Sequence, residues 1–314
     1  MKKNFIIYTF IIFILTSFNL FAEREVDIDK IKYDKKNELG YVEGEKEPFT
    51  GIAKDYYEDK SLKVEFPYKN GRIQGKAKAY YPSGKFKSEA FFVDDLLQGK
   101  SVGYYESGNL QYEDNYKDDE LDGLIKEYYE NGQIKSEMYY KSGNLDGPAT
   151  EYYENGQVYI QESYKDGELN GEVISYSENG NIIEKVFMKG KLLNGDAFAY
   201  YPSGKLKEKD SFKNGKREGE AVIYYENGNV KQKSTFKNDK REGDLFIYYP
   251  SGKLRQTEKF INGKAEGEVI EYYENGVVKE KAYFINDKQE KEHFFYDEKG
   301  KLIKTDIYKN GVKQ

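Results

Sequence analysis

The chain has 314 residues, 56 acidic and 50 basic side chains, one histidine, a net charge of −6 and a pI near 5.3. Cysteine and tryptophan are absent, while tyrosine reaches 32 and phenylalanine 19. Disulfides and thiolate metal sites are therefore excluded, the aromatic content is too high for a disordered chain, and an acidic, charge-mixed surface is a poor match for nucleic acid.

The chain opens with an export-signal pattern. Lys2 and Lys3 precede the apolar run Phe5–Leu15, and "TSFNLFA" leads to Ala22 before Glu23. Residues 1–22 are read as a signal peptide, with an uncleaved anchor as the alternative. In either case the rest of the chain is expected outside the cytoplasmic membrane, and membrane contact is not expected beyond this segment. Residues 23–50, which include "IKYDKKNELGYVEGEKEPFT", have strand and turn character but no fixed spacing. They are expected to form an N-terminal cap or a degenerate repeat.

From residue 51 a ruler takes over. Gly51, Gly75, Gly99, Gly123, Gly147, Gly171, Gly195, Gly219, Gly243 and Gly267 stand 24 residues apart, and Lys291 fills the eleventh slot. With the ruler glycine as position 0, position 5 is always tyrosine (Tyr56 to Tyr296) and position 11 always apolar (Leu62 to Leu302). Position 17 is Tyr or Phe in every copy except at Met188. A second glycine series runs from Gly84 to Gly300, and a third, from Gly71 to Gly311, is interrupted by Asp95, Asp119, Asp239 and Asp287. Glycine at fixed slots points to backbone with positive φ.

Each copy reads as a hairpin: a first strand of about five residues ending in Tyr-Tyr, a tight turn, and an alternating second strand. The turn is Glu-Asn-Gly or Pro-Ser-Gly. Pro82, Pro202 and Pro250 cannot occupy the centre of a type I′ turn, so a type I turn with the glycine as a left-handed bulge is expected. Eleven hairpins predict about 22 strands at ~4.8 Å spacing, an open, twisted, single-layer antiparallel sheet of roughly 100 Å over residues 51–314. Glycine and turn residues recur too often for a helical solenoid. The strand alternation places Lys63 with Glu65, Lys87 with Glu89 and Lys135 with Glu137 on one face. The apolar residue at position 11 and the aromatic at position 17 are expected together on the other. Cross-strand pairs of ~0.2–1 kcal/mol each make a lone hairpin unstable and a stack stable.

The unit Gly-x-x-x-x-Tyr-Tyr-x-x-Gly, followed by an apolar residue and then aromatic-Lys-Asn-Gly, resembles the MORN-repeat variant of bacterial proteins. The resemblance covers residues 51–314. It implies antiparallel hairpin repeats, an elongated sheet, and binding or scaffolding. Some relatives of that kind are labelled antitoxins and others are envelope or surface repeat proteins. The short aromatic hairpins of choline-binding cell-wall repeats are similar as well.

Several residues invite a functional reading. The invariant tyrosine of each pair is read as part of the ladder that holds the sheet. The second tyrosine is the candidate partner-binding series: Tyr57, Tyr81, Tyr105, Tyr129, Tyr153, Tyr201, Tyr225, Tyr249 and Tyr273, broken by Ser177. Amphipathic rings suit such a face. The recurrent turn carboxylates Glu130, Glu154, Glu226 and Glu274 form many equivalent exposed sites where catalysis needs a unique one. "YKDDELDG" lacks the ligand alternation of a calcium loop, and His293 is read as cap chemistry. No catalytic, cofactor or metal site is expected. The chain is thus expected to be an exported, non-enzymatic scaffold that binds a protein or cell-envelope polymer along an extended face. The alternatives are an antitoxin- or immunity-like protein that masks a toxin, and a cell-wall polysaccharide-binding module.

Overall fold

A computed structural model describes residues 24–314; the expected signal peptide lies outside the described residues. Among these residues no helix is long and apolar enough to cross a membrane. The chain begins with β1 (Glu25–Asp27), a 3-10 turn (Ile28–Lys30), and a hairpin of β2 (Ile31–Asp34) and β3 (Leu39–Val42). The first full unit pairs β4 (Gly51–Tyr56) with β5 (Leu62–Lys69) in antiparallel register, from Gly51↔Tyr68 to Asp55↔Val64. β5 then pairs with Gly75–Tyr80 of the next unit through Val64↔Ala79. The same step recurs up to Leu302–Lys309, giving one open sheet of 31 strands in which chain order and sheet order agree. The expected all-β meander of hairpin units is the observed fold.

Both turns follow from their residues. At the first, the Tyr81 carbonyl accepts from Gly84 N–H and Tyr81 N–H donates to Lys85 O, each at 2.8 Å. Gly84 has φ +81°, so this is a type I turn closed by a left-handed bulge residue, with Pro82 where proline is favoured. At the second turn, Lys69 pairs with Arg72 and leaves only Asn70 and Gly71, at φ +51° and +82°. Two residues at positive φ make a type I′ turn, whose twist matches that of the strands. In the unit begun by Gly171 the glycine comes one residue early. There Gly190 alone has positive φ, +59°, which is the type II′ pattern.

The strands run longer than five residues. Second strands span eight, and the pair Arg72–Ile73 prolongs Gly75–Tyr80 backwards across its ruler glycine. In Asn144–Tyr152, Glu168–Tyr176 and Lys288–Tyr296 the strand is continuous over nine residues. The ruler glycine supplies both conformation and room: Gly147 has φ +133°, and a Cβ there would stand 3.0 Å from the Cβ of Tyr139.

One expectation fails on side-chain facing. Asp55 pairs with Val64 but Tyr56 with Leu62, so Lys63 is an extra residue in the second strand. The same register shift recurs in every unit described, for example between Glu127 and Tyr128 and between Ala199 and Tyr200. This bulge moves position 11 onto the face of positions 1, 3, 5, 14 and 16 (face II). Position 12 joins positions 2, 4, 13, 15 and 17 (face I). Lys63 accordingly reaches Asp55 at 2.9 Å, whereas Glu65 meets Lys54 at 3.6 Å from the opposite side. Lys63/Glu65, Lys87/Glu89 and Lys135/Glu137 are thus split between faces. Position 11 stacks with the invariant tyrosines instead: Phe86 lies 5.9 Å from Tyr80 and 5.5 Å from Tyr104, ring to ring.

Burial is thin along the array and falls mainly on small side chains of face I, such as Ala53, Ala77 and Ala149. The stretch ahead of the array is different. β1 runs parallel to β4, and Phe49, 1% exposed and the one large side chain fully buried among the described residues, packs with Val42 and Ala53 against Phe66 and Tyr68.

Candidate interaction faces

The second tyrosine of each unit stands just past the end of the first strand, where the bulged turn carries it onto face I. Its hydroxyl donates to the main-chain carbonyl of the invariant tyrosine one unit on. Tyr57 reaches Tyr80 O at 2.9 Å, Tyr81 reaches Tyr104 O at 2.7 Å, and Tyr105 and Tyr129 do the same to Tyr128 O and Tyr152 O at 2.7 Å. Tyr153, Tyr201, Tyr225, Tyr249 and Tyr273 continue the series at 2.6–2.9 Å, onto Tyr176, Tyr224, Tyr248, Tyr272 and Tyr296. All nine candidates are therefore half-buried struts between units, and only ring surface is left to meet a partner. At the break in the series, Ser177 turns its hydroxyl into its own turn, onto Asn181 O.

Cations frame these rings. Lys87 stands 5.5 Å above Tyr81, Lys231 5.7 Å above Tyr225 and Arg255 5.8 Å above Tyr249. Lys135 is held by Glu127 at 2.9 Å, and a cavity of about 460 Å³ opens there among Tyr129, Ser136, Met138, Glu151, Tyr153 and Tyr159. A row of rings flanked by paired charges can offer flat apolar contact with a polar margin.

The opposite edge has a seam of its own. The main-chain N–H of position 20 donates to the carbonyl of position 22 in the preceding unit, as Gly143 does to Leu121 and Gly263 to Arg241 at 2.9 Å. Where Asp replaces that glycine, its carboxylate also takes the position-22 N–H. Asp95 accepts from Ile73, Asp119 from Leu97, Asp239 from Arg217 and Asp287 from Ala265, at 2.6–2.8 Å. Position 23 adds a third tie, as Glu218, Glu242 and Glu266 accept from Asn238, Asn262 and Asn286 N–H. The Asp substitutions were visible in the sequence, but their acceptor role needed the register.

On face I a carboxylate occupies position 15 in alternate units: Asp114, Glu162, Asp210, Glu258 and Asp306. Burial, reinforced by Glu127, pushes the Asp114 carboxyl up, and Tyr116 reaches it only at 3.5 Å. Tyr164, which donates to Glu162 at 2.8 Å, is pushed up to about 12 by burial and by that carboxylate. Further along, Arg217 holds Asp210 at 2.8 Å and lies 3.8 Å from Glu208, whose carboxyl is raised by burial and by Asp210. Lys304 and Lys313 bond to Asp306 and hold it low. His293, also on face I, stacks on Phe295 at 4.0 Å. Its Nδ1 accepts from Gln289 and its Nε2 lies 3.0 Å from Glu280. Among the described residues no group of three or more Asp, Glu, His or Cys is arranged to hold a metal ion. The turn residues Glu130, Glu154, Glu226 and Glu274 are exposed.

Face II carries a charge ladder whose sign reverses. Lys76–Glu89 (2.6 Å), Lys100–Glu113 (2.5 Å) and Lys126–Glu137 (2.6 Å) put the cation on the first strand and the anion on the second. Glu172–Lys185 (2.7 Å), Asp196–Lys209 (3.0 Å), Glu220–Lys233 (2.6 Å) and Glu268–Lys281 (2.8 Å) do the opposite. The unit between them has Pro148 and Gln161 in these slots.

The family model described as "MORN repeat variant" matches ten segments of the chain: residues 49–70, 73–94, 97–118, 121–142, 145–166, 169–189, 193–214, 217–238, 241–262 and 265–286. None of the curated proteins compared matches. Among solved structures, the chain is similar to "Crystal Structure of TcdB2-TccC3", at 13% identity over 89% of this chain and 18% of that one, TM-score 0.19. It is also similar to "Crystal Structure of TcdB2-TccC3-Cdc42", at 12% identity over 89% and 17%, TM-score 0.15. The chain spans less than a fifth of the length of these structures.

Proposed function

The chain belongs to the MORN repeat variant family, and on that footing we propose that it is an exported, non-enzymatic scaffold that binds a protein or cell-envelope polymer along the tyrosine row of face I. The observation that carries this reading is the repetition of one half-buried ring, in one setting, at nine of ten successive turns. Each ring has its hydroxyl committed to the next unit and its surface left over. Such a row offers many weak, equivalent contacts, whose strength grows with the number engaged at once. The basic run and apolar stretch before Ala22 support export.

The test is capture of partners from cell-envelope extracts by the mature chain, beside a variant lacking two whole units, residues 219–266. The variant is expected to fold and to bind more weakly in proportion to the rings removed. Complete loss of capture, with the fold intact, would point to one discrete site. Capture of a single small protein that is inhibited on binding would replace the scaffold with a toxin-masking role.

A further inference from the structure

We propose that face II is a self-association surface, on which a second copy of this chain docks face to face and antiparallel about a two-fold axis through the unit begun by Gly147. This goes beyond the partner-binding reading, which uses the other face of the sheet.

The first observation is that the charge ladder is antisymmetric about that unit. Counting outward from Gln161, position 14 holds Glu137, Glu113 and Glu89 on one side and Lys185, Lys209 and Lys233 on the other. Position 1 mirrors this with the signs exchanged: Lys100 balances Asp196 and Lys76 balances Glu220, while Leu124 stands opposite Glu172. A two-fold axis parallel to the strands keeps the position along each strand and inverts the order of units. With the axis over Gln161 it therefore sets Glu137, Glu113 and Glu89 of one copy over Lys185, Lys209 and Lys233 of the other, and the reverse. A self-complementary patch of this kind is what an isologous dimer requires. A parallel arrangement would instead set each charge over its like in the other copy.

The second observation concerns the exposed rings of the same face. Tyr139 and Phe187, both at position 16, are 42% and 39% exposed and symmetrically flank the central unit, whose face II slots carry no charge. The same axis carries Tyr139 of one copy onto Phe187 of the other, twice over. Aromatic anchors near the centre, with charges outside them, follow the usual anatomy of an interface. Five units of strands about 20–25 Å long and ~4.8 Å apart present about 1,000 Å² per copy, enough for a stable interface. Sheets stack ~10 Å apart with strand directions within about 30°, so the central units engage first and twist limits the reach of the ends.

The experiment is sedimentation equilibrium of the full chain over a range of concentrations and salt. It compares wild type with Glu113→Lys/Glu137→Lys and with Lys185→Glu/Lys209→Glu. The wild type is expected to dimerise, more weakly at high salt. Each double variant sets like charges face to face and is expected to raise the dimer dissociation constant about 100-fold. Mixing the two variants in equal amounts restores every opposite-charge contact, so a heterodimer of near wild-type affinity is expected. A wild type that stays monomeric would overturn the proposal, as would a dimer indifferent to both charge reversals or a mixture that does not recover. Circular dichroism checks that each variant folds. If either fails to fold, Tyr139→Ser decides: about tenfold weaker dimerisation supports the surface, and an unchanged constant rejects it.

Discussion

The units begun by Gly75, Gly99 and Gly123 and those begun by Gly171, Gly195 and Gly219 share register and bulge, yet carry opposite charges on the paired strands of face II. In the first group a lysine on the first strand and a glutamate on the second make the cross-strand pair. The invariant tyrosine of the following unit adds its hydroxyl to the glutamate, as Tyr128 does to Glu113 at 3.1 Å and Tyr152 to Glu137 at 2.9 Å. In the second group the anion sits on the first strand and lysine on the second, so the following tyrosine lies near an ammonium group where its counterpart met a carboxylate, as Tyr200 does beside Lys185 and Tyr248 beside Lys233. The backbone is indifferent to the exchange. It is fixed by elements common to both groups: glycines at positive φ, the bulge, and the seams at the two edges. Exposed ion pairs contribute only ~0–1 kcal/mol each, which leaves their sign free to encode recognition.

The largest expected effects fall equally on both groups. Gly147→Ala and Gly195→Ala would each force a Cβ to within 3.0–3.1 Å of a position-16 residue, Tyr139 of the first group or Phe187 of the second, at φ near +135°. Each is expected to cost about 1–3 kcal/mol in urea unfolding, with little difference between them. A tolerated substitution at either site would separate the two groups where they are held to be identical. Lys291 occupies the eleventh ruler slot at φ +64°, with its ammonium 3.5 Å from the Tyr283 ring centre.

Next come the position-15 carboxylates, where the groups should diverge in sign. Asp210 is 5% exposed and held by Arg217. Asp210→Asn is expected to destabilise by about 1–3 kcal/mol, because it removes the nearer of the guanidinium's two carboxylate partners from a buried site. Asp114 has no cation, and its carboxyl is raised by burial. A raised acid binds its proton more tightly folded than unfolded. Its cost is therefore absent below the ordinary aspartate value and fully felt once pH exceeds the raised one. Asp114→Asn is expected to raise Tm at neutral pH by about 2 °C and to lose that advantage in acid. Thermal melts of both variants across pH give the two signs side by side.

Smaller effects resolve the tyrosines. Removing a hydroxyl from the seam, as in Tyr105→Phe or Tyr225→Phe, is expected to cost about 1 kcal/mol in either group. Removing it from the invariant series should discriminate. Tyr152→Phe forfeits a bond to a carboxylate, worth about 1 kcal/mol, whereas Tyr248→Phe, which faces Lys233, should be close to neutral. Equal losses would mean that the hydroxyl is not bonded as its charge setting dictates.

Much of this was legible in the sequence because the determinants are local. Pro82, Pro202 and Pro250 excluded a type I′ centre, and a glycine three residues into the turn implied the bulge. The 24-residue ruler fixed the meander. What escaped was non-local. The extra residue at position 12 flips position 11 to the other face, and nothing in the alternation of "KLKEKDSF" announces it. The seam tyrosines looked free because their acceptors are main-chain carbonyls 23 residues away, which no side-chain pattern records. The sign reversal of the ladder is written plainly in positions 1 and 14, yet it becomes an interaction only when register sets those slots side by side. The signal segment lies outside the described residues, so the structure leaves the export expectation where the sequence put it.

The central claim is that each unit draws its stability from its two neighbours alone, so that units are interchangeable links in one sheet. It is tested most directly by excising one link, residues 219–242, which joins Glu218 to Gly243 and lets Tyr201 donate to Tyr248 O in place of Tyr224 O. The account predicts a cooperative sheet with unchanged circular dichroism per residue and a urea m-value smaller by about a tenth. A chain that loses its fold, or unfolds in separated steps on either side of the junction, would contradict it.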